Sequence, residues 1–329
     1  MRASRVPRLV RPDVGKPKVL LVDDQRGILD RVSAMLDSDF DVAGMAIDGN
    51  QALDMASRVS PDVIVLDVNM PGLDGFQTKR ALEQAGSQAP VVFLSACDAD
   101  DYVGEAFRCG GRGYVLKPHL ARDLASALDQ VLHGRLFAPS LPSLFELADS
   151  GGHAMQLYHD HERFLDGLAT VFDLALQRGD ATCVIGTEAL RDGLGDRLRS
   201  AGWDVGGAAG HKRYLAIDAA DAIGKFMRDG LPDPRLVENI ASELDQYRRT
   251  VSEGPVSRLT LFGNMVVPLI TDGNPAAAIA LESQWHRLTD GLPFFTICGY
   301  HASCFHDCVP DVWSNACAAH WAVSHTRDL

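Results

Sequence analysis

The chain has 329 residues, enough for two ordinary domains, and its 46% hydrophobic and 23% charged content is that of a folded globular protein. Its 31 basic and 44 acidic residues leave a net charge of −13, which argues against a nucleic-acid or anionic-membrane partner. No apolar run approaches the roughly 20 residues of a membrane span, and the basic stretch over residues 1–16 has no apolar segment of a secretory signal. That stretch reads as a flexible leader, and a cytoplasmic location is expected. The seven cysteines, an odd number, lie among apolar residues rather than in a disulfide framework.

The first half alternates β-rich runs with helical stretches. Lys18 to Val22 is a continuous apolar run ending at Asp23-Asp24, as a buried parallel strand would. Ile28, Val32, Met35 and Leu36 follow at helical spacing. Phe40 to Ala46 predicts a second strand, Asp48 to Val59 a helix, and Val63 to Leu66 a third strand running into Asp67. Val91 to Leu94 and Gly113 to Leu116 predict the fourth and fifth strands, with helices near Phe76 to Gln84 and Asp101 to Cys109. Leu120, Leu124, Leu128, Val131 and Leu132 mark a closing amphipathic helix. The alternation predicts an α/β fold with a doubly wound parallel sheet over residues 17–134.

Glycines and prolines punctuate residues 135–152, which read as a linker. The half from His153 to Leu329 alternates again. Helices are expected over Phe164–Gln177, Glu188–Ser200, Ala219–Met227, Pro234–Ser252 and Asn274–Leu288. Strands are expected over Thr182–Ile185, Tyr214–Ile217, Leu259–Phe262 and Phe294–Cys298. This half is a second α/β domain.

Polar groups end four of the first domain's strands: Asp23 and Asp24, Asp67, Ser95, and Lys117 before Pro118. Ligands of open parallel sheets bind at the carboxyl ends of the strands. Three carboxylates converging there repel one another and form an oxygen-rich site for a hard cation such as Mg²⁺. Asp67 would then be the nucleophile that accepts a phosphoryl group, Ser95 would hydrogen-bond one phosphoryl oxygen, and Lys117 would neutralise another. Strand-end acids also serve as helix N-caps, a reading that suits Asp23 or Asp24 taken singly but not the whole set.

Through Val22-Asp-Asp24, Leu66-Asp-Val-Asn-Met-Pro-Gly-Leu-Asp-Gly75, Leu94-Ser-Ala96 and Gly113-Tyr-Val-Leu-Lys-Pro118, this half resembles the CheY-like receiver domain of two-component response regulators. The resemblance implies a flavodoxin-like (βα)5 fold, with Asp67 as phosphoacceptor and Mg²⁺ bound by Asp24, Asp67 and the Asn69 backbone carbonyl. Asp23 would assist directly or through water. It implies Ser95 as the switch hydroxyl, Lys117 as the lysine that neutralises the phosphoryl group, and Tyr114 as the aromatic that follows the switch. A sensor histidine kinase or phosphotransfer protein is the implied partner. A cis Lys117–Pro118 peptide is expected, since such bonds are largely confined to proline. The helix over 120–132 leads directly into the linker, giving the switch a covalent route to the second domain.

The second half has no Gly-turned helix pair with a basic recognition helix, so direct DNA binding is not expected. Gly186 to Gly193, which follows a strand, lacks the lysine and Ser/Thr of a phosphate loop. No G-x-S-x-G or H-E-x-x-H occurs, and no enzyme activity is expected beyond the receiver's own phosphoryl chemistry. Several pieces resemble the MEDS domain (methanogen/methylotroph, DcmR-type sensory domain). These are His153-Ala-Met-Gln-Leu-Tyr158, the helix from Phe164 that leads to Gly179 before the strand, Leu261-Phe-Gly-Asn-Met-Val266 and Gly273-Asn-Pro-Ala-Ala-Ala278. Leu281-Glu282, Trp285, Ile297-Cys-Gly-Tyr300 and Cys317-Ala-Ala-His320 complete the set. That resemblance implies a RecA/KaiC-like layer fold without a phosphate loop, and a sensory or interaction role toward a small-molecule ligand or a downstream protein. Homodimerisation through the receiver face made by its fourth helix, fifth strand and fifth helix is a further option. Asn264 stands where the family commonly has Glu.

The C-terminal stretch holds Cys298, His301, Cys304, His306, Cys308, Cys317, His320 and His325. Their spacing lacks the C-x2-C knuckle of most zinc sites, so Cys298 and Cys317 read as small buried groups and the histidines as surface residues. A metal or redox sensor, or a phosphorylation-gated enzyme, is the alternative reading. Phe294, Phe295, Tyr300, Trp285, Trp313 and Trp321 read as core, with a ligand cavity as the alternative.

Overall fold

A computed structural model describes residues 15–97, 100–148, 151–205, 212–253, 256–301, 303, 320 and 322–325. The chain divides into two compact units, the first closing at Pro139 and the second beginning at Ser140. The leader lies almost wholly outside the described residues.

The first unit runs β1 (Lys18–Val22), α1 (Arg26–Leu36), β2 (Asp41–Ala46), α2 (Gly49–Val59), β3 (Val63–Asp67), α3 (Gly75–Gln84), β4 (Val91–Ser95), α4 (Asp100–Arg108), β5 (Gly113–Leu116), a 3-10 turn (Lys117–His119), α5 (Leu120–Leu132) and β6 (Leu136–Ala138). Its strands are parallel in the order β2-β1-β3-β4-β5-β6. The apolar runs Val19–Val22, Val63–Leu66 and Val91–Leu94 are buried on both faces, which is why they alternate so little. One face packs Leu20, Ile64, Leu66, Phe93 and Tyr114 against residues of α2, α3 and α4. On the other, α1 and α5 pack together and against the central strands.

Most of the described residues of the expected linker are structured. Arg112 donates to the Gly134 carbonyl, and β6 adds a sixth strand through Gly113↔Phe137. Leu136, Phe137 and Ala138 are buried, so apolar burial outweighs the glycine and proline punctuation that flanks them. The remainder of the expected linker contributes α6 (Leu141–Leu147) to the second unit. The Lys117–Pro118 peptide is trans, against expectation. Pro118 opens a helical turn, where its fixed φ and missing N–H are tolerated and where the turn itself is built from trans peptides.

The second unit continues with β7 (Gly152–Tyr158), α7 (His161–Gln177), β8 (Ala181–Gly186), α8 (Glu188–Ser200), β9 (Tyr214–Asp218) and α9 (Ala219–Phe226). A short hairpin of β10 (Met227–Arg228) and β11 (Leu231–Pro232) follows, turning at Asp229 and Gly230, both at positive φ. Then come α10 (Pro234–Val251), β12 (Leu259–Gly263), α11 (Val266–Thr271), α12 (Pro275–Thr289), β13 (Phe294–His301) and β14 (Ala322–His325). This sheet is also parallel, in the order β14-β7-β13-β12-β8-β9. Arg258 is tied into it from below by an ion pair to Asp180 at 3.0 Å, a hydrogen bond to the Ala148 carbonyl and a stack over the Phe145 ring.

Candidate functional site

In the first unit the strand order reverses around β1, which has β2 on one side and β3 on the other. That leaves a crevice at their carboxyl ends. Asp23 and Asp24 follow β1 and Asp67 ends β3, and one carboxylate oxygen from each lies within 4.8 Å of the others. Asp23 and Asp67 are 1% exposed, whereas Asp24 faces solvent. They are not helix caps. The residue preceding α1 is Gln25, which has no side-chain cap; its N–H instead donates to Asp23 at 2.9 Å.

Lys117, delivered by the turn after β5, places Nζ 2.8 Å from Asp23 Oδ2 and 3.0 Å from Asp67 Oδ1. Burial alone would lower the lysine's pKa, but the two carboxylates outweigh it and hold the ammonium above its usual value. For Asp67 the balance falls the other way. Burial raises its pKa and nearby Asp23 adds to this, more than Lys117 and the Asn69 N–H lower it. Asp67 Oδ2 takes no hydrogen bond among the described residues. A buried carboxylate with an oxygen to spare is placed to receive a cation or an electrophile. Asn69 itself is exposed, two residues beyond Asp67, with its N–H turned to that carboxylate.

The loop after β3 is fixed by its sequence. Gly72 sits at φ +82°, and a Cβ on Gly75 would lie 2.3 Å from the Asp67 carbonyl oxygen. Only glycine lets α3 begin so close to the end of β3. Asp74 caps that helix in a reciprocal box with Gln77. Ser95 ends β4, is fully buried, and accepts from the Cys97 N–H at 3.0 Å. Tyr114, also fully buried, donates its hydroxyl to the Cys97 carbonyl at 2.6 Å. Cys97 therefore bridges Ser95 and Tyr114, a link that sequence spacing did not reveal.

The C-terminal group is only partly placed. Cys304, His306, Cys308, Cys317, Trp313 and Trp321 lie outside the described residues, as does the His325 side chain. His301 ends β13 half-buried beside Ser303 and the His159 carbonyl. Cys298 is buried in β13, and burial, with Glu282 beside it, pushes its thiol pKa well up. His320 is 2% exposed, against the expectation of a surface residue. Trp285, Phe294, Phe295 and Tyr300 are core, as expected. Asn264 follows β12 with its N–H bonded to the Ile185 carbonyl, and its Oδ1 takes no hydrogen bond among the described residues.

Comparison with known proteins divides the chain in the same way. The model of the response-regulator receiver domain matches residues 19–129. That of MEDS, the methanogen/methylotroph DcmR sensory domain, matches residues 152–320. The transcriptional regulatory protein DesR of Bacillus subtilis is 29% identical over 126 residues, 37% of this chain and 62% of DesR. The nitrate/nitrite response regulator NarL of Escherichia coli is 32% identical over 120 residues, 36% of this chain and 56% of NarL. The chain thus spans less than two thirds of the length of these relatives. The solved receiver domain of the NarL-like regulator from Mycobacterium tuberculosis is 31% identical, covering 36% of this chain and 98% of that one, with a TM-score of 0.35.

Proposed function

Because this chain belongs to the MEDS family and carries a response-regulator receiver domain ahead of its sensory domain, we propose that phosphoryl transfer to Asp67 controls what the second domain senses or engages. Receivers of response regulators interact with sensor kinases and bind Mg²⁺ for phosphorylation. The observation that carries the proposal is the convergence of Asp23, Asp24, Asp67, Ser95 and Lys117 at the carboxyl ends of four parallel strands.

Asp67 attacks the phosphorus of a phosphodonor such as a kinase phosphohistidine. The new O–P bond forms as the bond to the donor breaks, leaving an acyl phosphate on Asp67. Asp24, Asp67 and the Asn69 carbonyl, with Asp23 directly or through water, would hold a Mg²⁺ ion, which would supply positive charge to offset repulsion between the carboxylates and the phosphoryl oxygens. Lys117, whose ammonium stays charged, turns from the bare carboxylate to a phosphoryl oxygen. Ser95 donates to another, giving up its place beside the Cys97 N–H. Because Cys97 also receives the Tyr114 hydroxyl, that movement reaches β5, the two-state element through which the signal leaves the site.

The second domain acts as sensory or interaction output rather than as a DNA reader or an ATPase. Its strand order supports a RecA-like reading, yet the turn after its first strand, β7, is only His159-Asp160, too short to wrap a phosphate. Intact-mass analysis after incubation with Mg²⁺ and a small phosphodonor tests the proposal. One phosphoryl group should add to the native chain and none to the Asp67→Asn variant. Equal labelling of both would overturn the assignment.

A further inference from the structure

A second cluster lies in the other unit, unrelated to the receiver chemistry. His153, Glu282, Cys298 and His320 each offer one ligand atom, and these four atoms lie within 4.8 Å of one another. All four side chains are buried. They come from four places in the sequence: β7, α12, β13 and the approach to β14. The sheet brings them together, because β13 pairs with β7 through Thr296↔His153 and β14 pairs with the other edge of β7. Thr296, Cys298 and Tyr300 alternate onto one face of β13, and that face meets α12. Trp285 donates to Thr296 at 3.3 Å, and the Tyr300 hydroxyl donates to Glu282 Oε1.

We propose that these four side chains form a resident site for a divalent transition-metal ion, Zn²⁺ by ligand preference. A tetrahedral zinc with bonds of about 2.0–2.3 Å spaces its ligand atoms about 3.3–3.8 Å apart. Here His153 Nε2 stands 3.1 Å from Cys298 Sγ and 3.5 Å from Glu282 Oε2, and His320 Nε2 stands 3.7 Å from the same oxygen. The two nitrogen–carboxylate spacings exceed a good N–H···O bond and match ligands around an ion, while the shorter His153–Cys298 contact, a hydrogen bond without the ion, opens by a few tenths of an ångström when the ion takes its place. Glu282 Oε2 takes no hydrogen bond among the described residues, and its sister oxygen is turned aside by Tyr300.

Charge agrees with geometry. One thiolate, one carboxylate and two neutral imidazoles neutralise a divalent ion exactly where burial tolerates no net charge. The Cys298 proton leaves to solvent when the ion binds. Tyr300 is a positioning residue, holding the carboxylate so that its free oxygen faces the two imidazoles. A mainly apolar cavity of about 20 Å³, room for one water, touches Glu282 and Cys298 and is walled by Leu261, Val266, Leu281 and Trp285.

The test uses the full chain. Elemental analysis of protein purified from zinc-supplemented cells should find about one zinc per chain, unchanged in Asp67→Asn, which separates this proposal from the receiver reading. Co²⁺ replacing zinc should give intense four-coordinate visible bands and a sulfur-to-cobalt charge-transfer band. Cys298→Ser should abolish that charge-transfer band. Tyr300→Phe should keep both features while weakening zinc binding about tenfold. A wild-type chain that carries no zinc and shows no four-coordinate cobalt spectrum would overturn the proposal and leave a buried His–Glu ion pair. A charge-transfer band that survives in Cys298→Ser would overturn it too, placing the metal on other cysteines. The wild-type spectrum decides even where a variant fails to fold.

Discussion

Lys117→Met removes the one cation shown between two buried carboxylates, and its consequences can be worked from the geometry. At 2.8 and 3.0 Å, each contact carries about 5–6 kcal/mol of gross Coulomb attraction at an effective dielectric of about 20. The desolvation of the ammonium cancels much of this. Stripping one member from a buried set costs about 3 kcal/mol net. The lysine is 15% exposed, so solvent screening takes only a small part of that figure. The loss should depend on pH in a defined direction. Lys117, raised above its unfolded value of about 10.4, contributes fully below that pH and loses its contribution only as pH rises through its folded value. Asp67, also raised, binds its proton more readily folded than unfolded. Stability of the metal-free protein therefore rises as pH falls through its folded value toward about 3.9. In that window the variant's deficit should shrink, because a protonated Asp67 no longer needs the lysine. Millimolar Mg²⁺ should shrink it as well, through RT ln(1 + [L]/Kd). Native-state hydrogen exchange at the β1 and β3 amides, which open with this unit, measures the difference. A loss below about 0.5 kcal/mol, or one insensitive to both acid and Mg²⁺, would refute the reasoning.

Tyr114→Phe should cost about 1 kcal/mol, the net value of its hydrogen bond to the Cys97 carbonyl. Phosphorylation of Asp67 should survive it, while the exchange change that accompanies phosphorylation should no longer reach β5; intact mass and exchange on the same sample check both. Gly75→Ala forces a methyl to 2.3 Å from the Asp67 carbonyl oxygen, so it should destabilise by at least about 1–3 kcal/mol and impair phosphoryl acceptance, visible in urea unfolding and in the rate of labelling. Arg258→Met strands Asp180 in the base of the second unit and should cost about 3–5 kcal/mol. Pairing it with Asp180→Asn should recover much of that loss in a double-mutant cycle, and simple additivity would refute the coupling.

What was legible in the sequence was what local pattern encodes. Continuous Val/Leu/Ile runs marked β1, β3 and β4 because strands covered on both faces need no polar alternation. The groups that end those strands, Asp23, Asp24, Asp67 and Ser95, followed at once, since the crest of a parallel sheet has one chemical address. β7 left no such trace. Gly-His-Ala-Met-Gln-Leu-Tyr mixes polarity because His153 and Gln156 are polar groups buried in a strand paired on both sides. β6 is three residues between turn-formers, and β14 is similarly short.

The sequence by itself determined the two α/β halves and the receiver's acidic crest, because every group of that crest sits at the end of its own hydrophobic run. Only the tertiary structure decided which groups of the second domain meet. The C-terminal cysteines and histidines look like neighbours along the chain, yet Cys298 and His320 are joined by His153, 145 residues before Cys298, and by Glu282 from a helix. Parallel strands are joined by crossovers rather than hairpins, so adjacent strands come from distant segments, and which side chains share a buried face is set by strand order and register rather than by sequence spacing.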